Sequence, residues 1–164
     1  MTTIHRAQTR QVYFHDSAAP TATAVAPSVL VAVRWLGGRL LLVRRCDDGL
    51  WELPGGVVDV GENAVDAAVR HTVAAAGIHV FVTGIAGLFT DPSYLVRSPD
   101  GEVRQQFVLL FRARSLGGAP HGDGEATSDA AWITVAGMRD LAIEPSARRP
   151  IAEALALGEP PYLG

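Results

Sequence analysis

The feature that most constrains this chain is a spaced run of glycines and charges near its middle. Gly55-Gly56 follows Trp51-Glu52-Leu53-Pro54; five residues separate Gly56 from Glu62, seven separate Glu62 from Arg70, and Gly77-Ile78 closes the stretch. The spacing predicts a helix over Glu62–Ala76, stopped by Gly77 in the position a left-handed terminating residue takes. Val65, Val69, Thr72, Val73 and Ala76 recur at the helical period, which predicts one core-facing stripe. Glu62 then falls in the first turn, where a carboxylate favours the helix dipole. Asp66 lies one turn before Arg70, in position for a solvated helix bridge.

Strands and turns surround this unit. Val29–Trp35 is rich in β-branched residues, Gly37-Gly38 is a turn signal, and Leu40–Arg44 is a second apolar run, the pattern of a β-hairpin. Asp47-Asp48-Gly49 makes a further turn. Ile78–Phe89 is strand material broken by Gly84 and Gly87, and Asp91–Tyr94 is a turn. Ser98-Pro99-Asp100-Gly101 joins the two strands of a hairpin over Val96–Arg114. Gly117–Asp129 is a polar loop, and Ala131–Thr134 a short strand. Val135–Leu141 and Ser146–Leu157 read as closing helices, with Ser146 as N-cap and Pro150 tolerated near the first turn. The order is β-β-α-β-β-β-α, one mixed sheet with helices packed on it. Residues 1–27, with Pro20 and Pro27, read as an extended arm that Tyr13 and Phe14 could pin to the body; residues 28–164 form the domain.

Composition narrows the function classes. The 164 residues are 48% hydrophobic and 19% charged, an ordinary globular balance. A formal net charge of -3 gives no strong field for nucleic acid or anionic membranes. The single cysteine, Cys46, excludes an internal disulfide and fits a reducing compartment; Arg44 and Arg45 before it could activate the thiol, or it is simply a small residue at a strand end. Met1–Arg10 lacks the layout of a signal peptide, and the run Val29–Val33 is too short to span a bilayer. A cytoplasmic protein is expected.

The ordered matches in the central stretch resemble the box of the Nudix superfamily (MutT-like). Its pattern is Gly, five residues, Glu, seven residues, then Arg-Glu, an aliphatic, any residue, Glu-Glu, any residue, Gly and an aliphatic. The likeness extends over most of the chain. Leu41-Leu42-Val43-Arg44-Arg45 and Gly49-Leu50-Trp51 look like the strand leading into the box, while Gly124-Glu125-Ala126 and Ala131-Trp132-Ile133 look like the family's late loop and strand. Asp91-Pro92, Asp100–Phe107 and Gly117-Gly118 resemble a bacterial, actinobacterial-looking branch. The resemblance implies an α+β Nudix fold, an α/β/α sandwich with the box helix and C-terminal helices on a mixed sheet. It also implies a phosphoanhydride substrate, a magnesium or manganese cofactor, and a Glu62–Arg70 pair that ties the box loop to its helix.

This sequence departs from the family where the metal is held. Cleaving a phosphoanhydride calls for divalent cations that neutralise phosphate charge and activate water. Mg²⁺ is a hard ion that takes oxygen ligands, and glutamates at i, i+3 and i+4 of a helix aim three carboxylates at one point. Here those positions are His71, Ala74 and Ala75. Imidazole prefers softer metals and a methyl group coordinates nothing. Gly56, whose carbonyl is a ligand in the family, and Glu62 remain; Glu125, in the late loop beside Asp123, is a possible replacement ligand or base, or else a solvated acid. His71 has the side-chain type suited to a base near neutral pH, or is a helix histidine filling a vacated space. Arg44 and Arg45 end the strand that faces the box, and alternation lets only one of them point into the cleft, where bidentate phosphate contact suits arginine. With Gly55, Gly56 and Arg70 they complete the expected ligand-binding set. Trp51, Phe89 and Phe107 are candidates to stack on a base, or core residues.

Three functions remain open at this level. The cleft binds a nucleotide or nucleoside-diphosphate-linked metabolite with hydrolysis lost or weakened; or a relocated metal site built on Glu62, Glu125 and Gly56 keeps an active pyrophosphohydrolase; or the domain is a non-catalytic interaction protein. A small-molecule partner and a homodimer are expected, with no nucleic acid polymer and no membrane.

Overall fold

The computed structural model describes residues 9–156 and 158–164. Its centre is a parallel pair, β2 (Ala24–Trp35) beside β8 (Val103–Gly117), in register from Ala24 opposite Arg104 to Arg34 opposite Arg114. Both faces of β2 and of β3 (Arg39–Arg45) are covered, which is why their sequences run apolar without alternation. Val29, Val31, Val33, Leu41 and Val43 point to one side, with Phe111 and Ala113 of β8. Ala32, Leu40, Leu42 and Leu110 point to the other. Helix α1 (Ala64–Ala76) closes the first layer and α2 (Arg148–Leu155) the second. The result is the expected α/β/α sandwich on a mixed sheet.

Each long strand divides its free edge between two partners, and this splits the sheet. The edge of β2 away from β8 pairs with β5 (Gly55–Val57) at Ser28–Leu30 and with β3 only at Arg34 and Trp35. The edge of β8 away from β2 pairs with β7 (Tyr94–Arg97) near its start and with β6 (His79–Phe89) beyond. The register of β6 shifts around Gly84 and Gly87, so the two glycines interrupt the ladder without ending the strand. On β3 lie β4 (Trp51–Glu52) and β9 (Thr127–Ile133), and β10 (Tyr162–Leu163) runs parallel to β6.

Several local expectations change. The expected arm is partly sheet: β1 (Gln11–Phe14) pairs with β7, and β2 starts at Ala24, four residues before the anticipated boundary at Ser28. Phe14 meets Tyr94 edge-on at 5.8 Å, and Arg97 lies 5.9 Å from the Tyr13 ring, so both aromatics do pin the segment. Residues 1–8 lie outside the described residues. The central helix begins at Ala64, not Glu62, because Asn63 caps it by accepting the Asp66 N–H at 2.9 Å. Its buried face is Ala67, Ala68, Thr72 and Ala76, whereas Val65 is 44% exposed. Small residues let the helix lie close on the sheet, and Thr72 Oγ1 donates to the Ala68 carbonyl, which satisfies its buried hydroxyl. Gly77 stops the helix at φ 67° as expected.

At the C-terminal end, Val135–Leu141 forms only a 3-10 turn at Gly137–Asp140. Glu144, not Ser146, caps the last helical segment, its carboxylate accepting the Ser146 N–H. Leu157, the expected end of that helix, lies outside the described residues.

Candidate functional site

The double glycine is required by two different neighbours. β5 lies against β2 so tightly that a β-carbon on Gly55 would fall 2.1 Å from the Val29 carbonyl oxygen. A β-carbon on Gly56 would fall 2.3 Å from Cε1 of His71. The box strand is thus wedged between sheet backbone and the side chain of the helix.

Beyond Val57 the chain turns through Asp59–Glu62 and is fastened to α1 by one arginine. Arg70 donates from Nε to Glu62 Oε2 at 2.7 Å, and from Nη2 to Glu62 Oε1 at 2.8 Å and to the Val57 carbonyl at 3.2 Å. Asp59 adds a carboxylate 3.3 Å from the same Nη2, and its own N–H donates to Glu62. The Arg70 guanidinium and the Asp59 amide hold the Glu62 carboxyl well below its ordinary value of 4.5, at about 2. The expected Asp66–Arg70 bridge is absent among the described ion pairs; Asp66 instead accepts from Asn63 Nδ2 at 2.7 Å.

His71 packs against this loop from the side of α1. Its Nε2 lies 2.8 Å from the Val57 carbonyl, which needs a donor, so the proton is on Nε2. Arg70 Nη2, 3.3 Å away, is then a second donor facing the first and adds no bond. Beside His71 is a cavity of about 110 Å³ whose walls include Ala74, Ala75, Glu52, Arg45 and Asp123. Where the box pattern would put carboxylates, this wall has an imidazole and two methyl groups.

The acids around this wall do not converge on one point. Asp123 is partly desolvated, but the amides of Thr127, Glu125 and Ala126 outweigh that and hold its carboxyl below the ordinary value; Oδ1 accepts all three N–H groups at 2.8–2.9 Å. Glu125, the sequence candidate, is exposed and lines neither cavity. Glu62 is taken by Arg70. Among the described residues, no three His, Cys, Asp or Glu side chains gather into a ligand set. The donor set therefore does not suit a hard divalent ion.

A larger cavity, about 320 Å³, adjoins the first along Arg45, Glu52 and Gly55. Its walls come from β2, β5, β7 and β8, with Gly55 and Gly56 on one side and Ser28, Arg104 and Gln106 on another. Of the two arginines ending β3, Arg45 faces in and Arg44 faces out, where its Nε donates to the Gly49 carbonyl at 3.1 Å. Arg45 is forked onto Asp47 at 3.0 and 2.6 Å and lies 3.8 Å from Glu52. The opposite side of Glu52 is held by Arg10, at 3.0 Å, reaching in from just before β1.

No local pattern marks Arg10, which sits in the stretch expected to be arm. Ser28 and Gln106 carried a weak signal, as polar residues interrupting apolar strands. Trp51 and Phe89 pack against the α2-side core, the Phe89 ring lying tilted against Tyr162 at 4.8 Å, and Phe107 is exposed on β8; none lines either cavity. Cys46 is exposed, its N–H bonded to the Ala126 carbonyl.

A wedged double glycine, a loop fastened by a Glu–Arg fork and a helix capped by Gly77, set against one face of a split mixed sheet, define the Nudix architecture. The NUDIX domain family matches residues 24–154, and this chain belongs to it. A MutT-like protein of Streptomyces ambofaciens is 33% identical over 97 residues, 59% of this chain and 56% of that protein, so the chain spans little more than half of that relative. A Bacillus subtilis (strain 168) protein, provisionally named as an 8-oxo-dGTP diphosphatase, is 33% identical over 113 residues, 69% of this chain and 68% of its own. Among solved structures, an ADP-ribose pyrophosphatase from Streptococcus suis superposes with a TM-score of 0.69 at 19% identity, over 85% of this chain and 98% of that one. A Nudix hydrolase from Nitrosomonas europaea gives 0.68 at 21% identity, over 88% and 80%. These last two likenesses establish the fold. No helix among the described residues is long and apolar enough to cross a membrane.

Proposed function

We propose that this Nudix domain binds a nucleoside-diphosphate-linked or similar phosphoanhydride ligand in the cleft beside Gly55 and Gly56, with magnesium-dependent hydrolysis lost or strongly weakened. The observation that carries this reading is the wall made by His71, Ala74 and Ala75, in the place where the family's box supplies glutamates. Metal catalysis contributes several kcal/mol to a transition state, and each ~1.4 kcal/mol is tenfold in rate, so losing every helix ligand costs on the order of 10³-fold or more. Charge on a phosphate ligand has a second set of cations to meet in this cleft. The larger cavity keeps Arg45 and Arg10 near the double glycine, and guanidinium groups suit phosphate oxygens.

The test is a panel of nucleoside diphosphates, ADP-ribose, NAD and dinucleoside polyphosphates, scored for thermal stabilisation and for product with Mg²⁺ or Mn²⁺. Stabilisation without turnover is the expected result. Metal-dependent turnover abolished by Glu62→Gln or Glu125→Gln would establish the relocated-metal enzyme instead. No stabilisation by any compound would favour a protein whose surface, not its cleft, matters.

A further inference from the structure

The larger cavity has a buried polar pair, Ser28 and Gln106, at the end of an apolar stretch of the sheet. Toward α2, β2 presents Leu30 and Ala32 and β8 presents Val108 and Leu110. One step back along each strand, on the same face, stand Ser28 and Gln106, each only 7% exposed. Ser28 Oγ donates to Gln106 Oε1 at 3.0 Å, and Gln106 Nε2 donates to the Arg104 carbonyl at 3.2 Å. The second bond needs an amide nitrogen at that position, so it fixes which way the carboxamide lies.

A carboxamide offers two N–H donors and two lone pairs on oxygen. Ser28 and Arg104 take one of each, which leaves one donor and one acceptor on a held, nearly dry wall. Burying such groups costs free energy unless they are bonded. Apolar residues at both positions would simply extend the core.

We propose that Gln106, held by Ser28, reads the nucleobase edge of the ligand, its spare N–H and spare oxygen lone pair meeting an adjacent acceptor and donor on the base. This rests on the cleft being a nucleotide-type site. A glutamine amide matches such an edge bidentately, as it does with adenine. The same cavity carries Arg45 and Arg10 beside the double glycine and the Ser28–Gln106 pair on β2 and β8. It thus offers cations for an anhydride and an amide for a base, the two chemistries that a nucleotide presents together.

The probes are ADP, GDP, CDP, UDP and methyl diphosphate, which keeps the anhydride and lacks a base, titrated calorimetrically into wild type, Gln106→Leu and Ser28→Ala. Wild type is expected to bind at least one nucleoside diphosphate about tenfold or more tightly than methyl diphosphate, since sites built to hydrogen-bond a group reject analogues without it. Gln106→Leu should bring that ratio to within about threefold and leave methyl diphosphate affinity unchanged; Ser28→Ala should lower the ratio to an intermediate value. Equal binding of all five probes by wild type overturns the role of Gln106 and leaves the cleft reading standing. Binding of none overturns both. A ratio unchanged in Gln106→Leu, or methyl diphosphate weakened as much as the nucleotides, also overturns it. Should Gln106→Leu fail to fold, an unchanged ratio in Ser28→Ala does so.

Discussion

The imidazole of His71 lies against the α-carbon of Gly56, so that a β-carbon built on the glycine would fall 2.3 Å from His71 Cε1. The side chain standing at the box pattern's first helix-glutamate position is therefore part of what packs the box strand. Gly55 is also crowded, but by the Val29 backbone oxygen at 2.1 Å. A side chain can move aside and a β-ladder cannot. Gly56→Ala is expected to destabilise the fold by about 1–3 kcal/mol, the usual cost of overpacking, and His71→Ala in the same chain should restore most of it. Gly55→Ala should cost at least as much and gain nothing from His71→Ala. Urea unfolding of the parent and five variants (Gly55→Ala, Gly56→Ala, His71→Ala and the two doubles with His71→Ala), analysed as two double-mutant cycles, checks both statements.

What was legible in the sequence divides along physical lines. The scaffold half of the box was visible because glycines at a crowded strand, a Glu–Arg fork and a helix stop each demand a residue type at a fixed spacing. Hydrophobic size is a poor guide to the buried face of α1. Close approach to the sheet selects Ala67, Ala68, Thr72 and Ala76, and leaves Val65 outside. Arg10 and Glu52 meet across 42 residues of sequence, through a strand pairing of β1 with β7 that no local pattern announces. Gln106 by itself is one polar residue at the start of an apolar run. Its meaning depends on Ser28 standing beside it on a neighbouring strand.

Restoring the three box carboxylates tests whether the scaffold still supports the family's chemistry. In the chain carrying His71→Glu, Ala74→Glu and Ala75→Glu, Mg²⁺-dependent release of product from a nucleoside diphosphate derivative should rise by roughly 10³-fold over the parent. Gly56 and the Glu62–Arg70 fork are already in place. Ala74 is exposed and Ala75 half-buried beside the cavity of about 110 Å³, so the new side chains have room. A correctly folded triple variant with no metal-dependent turnover would overturn the reading that these three positions separate this chain from the family's chemistry.

The two arginines ending β3 should behave differently although they are adjacent. Arg45 lines the cleft and is forked onto Asp47, whereas Arg44 faces outward onto the Gly49 carbonyl. Arg45→Ala is expected to weaken binding of a stabilising ligand by about 10- to 100-fold, since charge-assisted hydrogen bonds are worth roughly 1.5–3 kcal/mol. Arg44→Ala should change affinity less than twofold. Equal losses at both positions, read by calorimetry, would place the ligand elsewhere.

The Glu62–Arg70 fork gives the box loop an acid dependence of known sign. Arg70 and the Asp59 amide lower the Glu62 carboxyl from 4.5 to about 2, so the folded state binds this proton less readily than the unfolded chain does. Its contribution to stability is therefore complete above pH 4.5, declines as pH falls from there, and is gone once pH passes about 2. Raising the pH beyond 5 adds nothing from this group. The Asp59 amide donates to Glu62 Oε1 at 3.1 Å, so its NMR shift should follow the titration with a midpoint near 2. Arg70→Ala removes the first and largest cause, and the midpoint should move back toward 4.5. Glu62→Gln should flatten the dependence of thermal stability on pH between about 4.5 and 2, in proportion to this one proton. A wild-type midpoint at the ordinary carboxylate value would mean that the fork does not hold in solution.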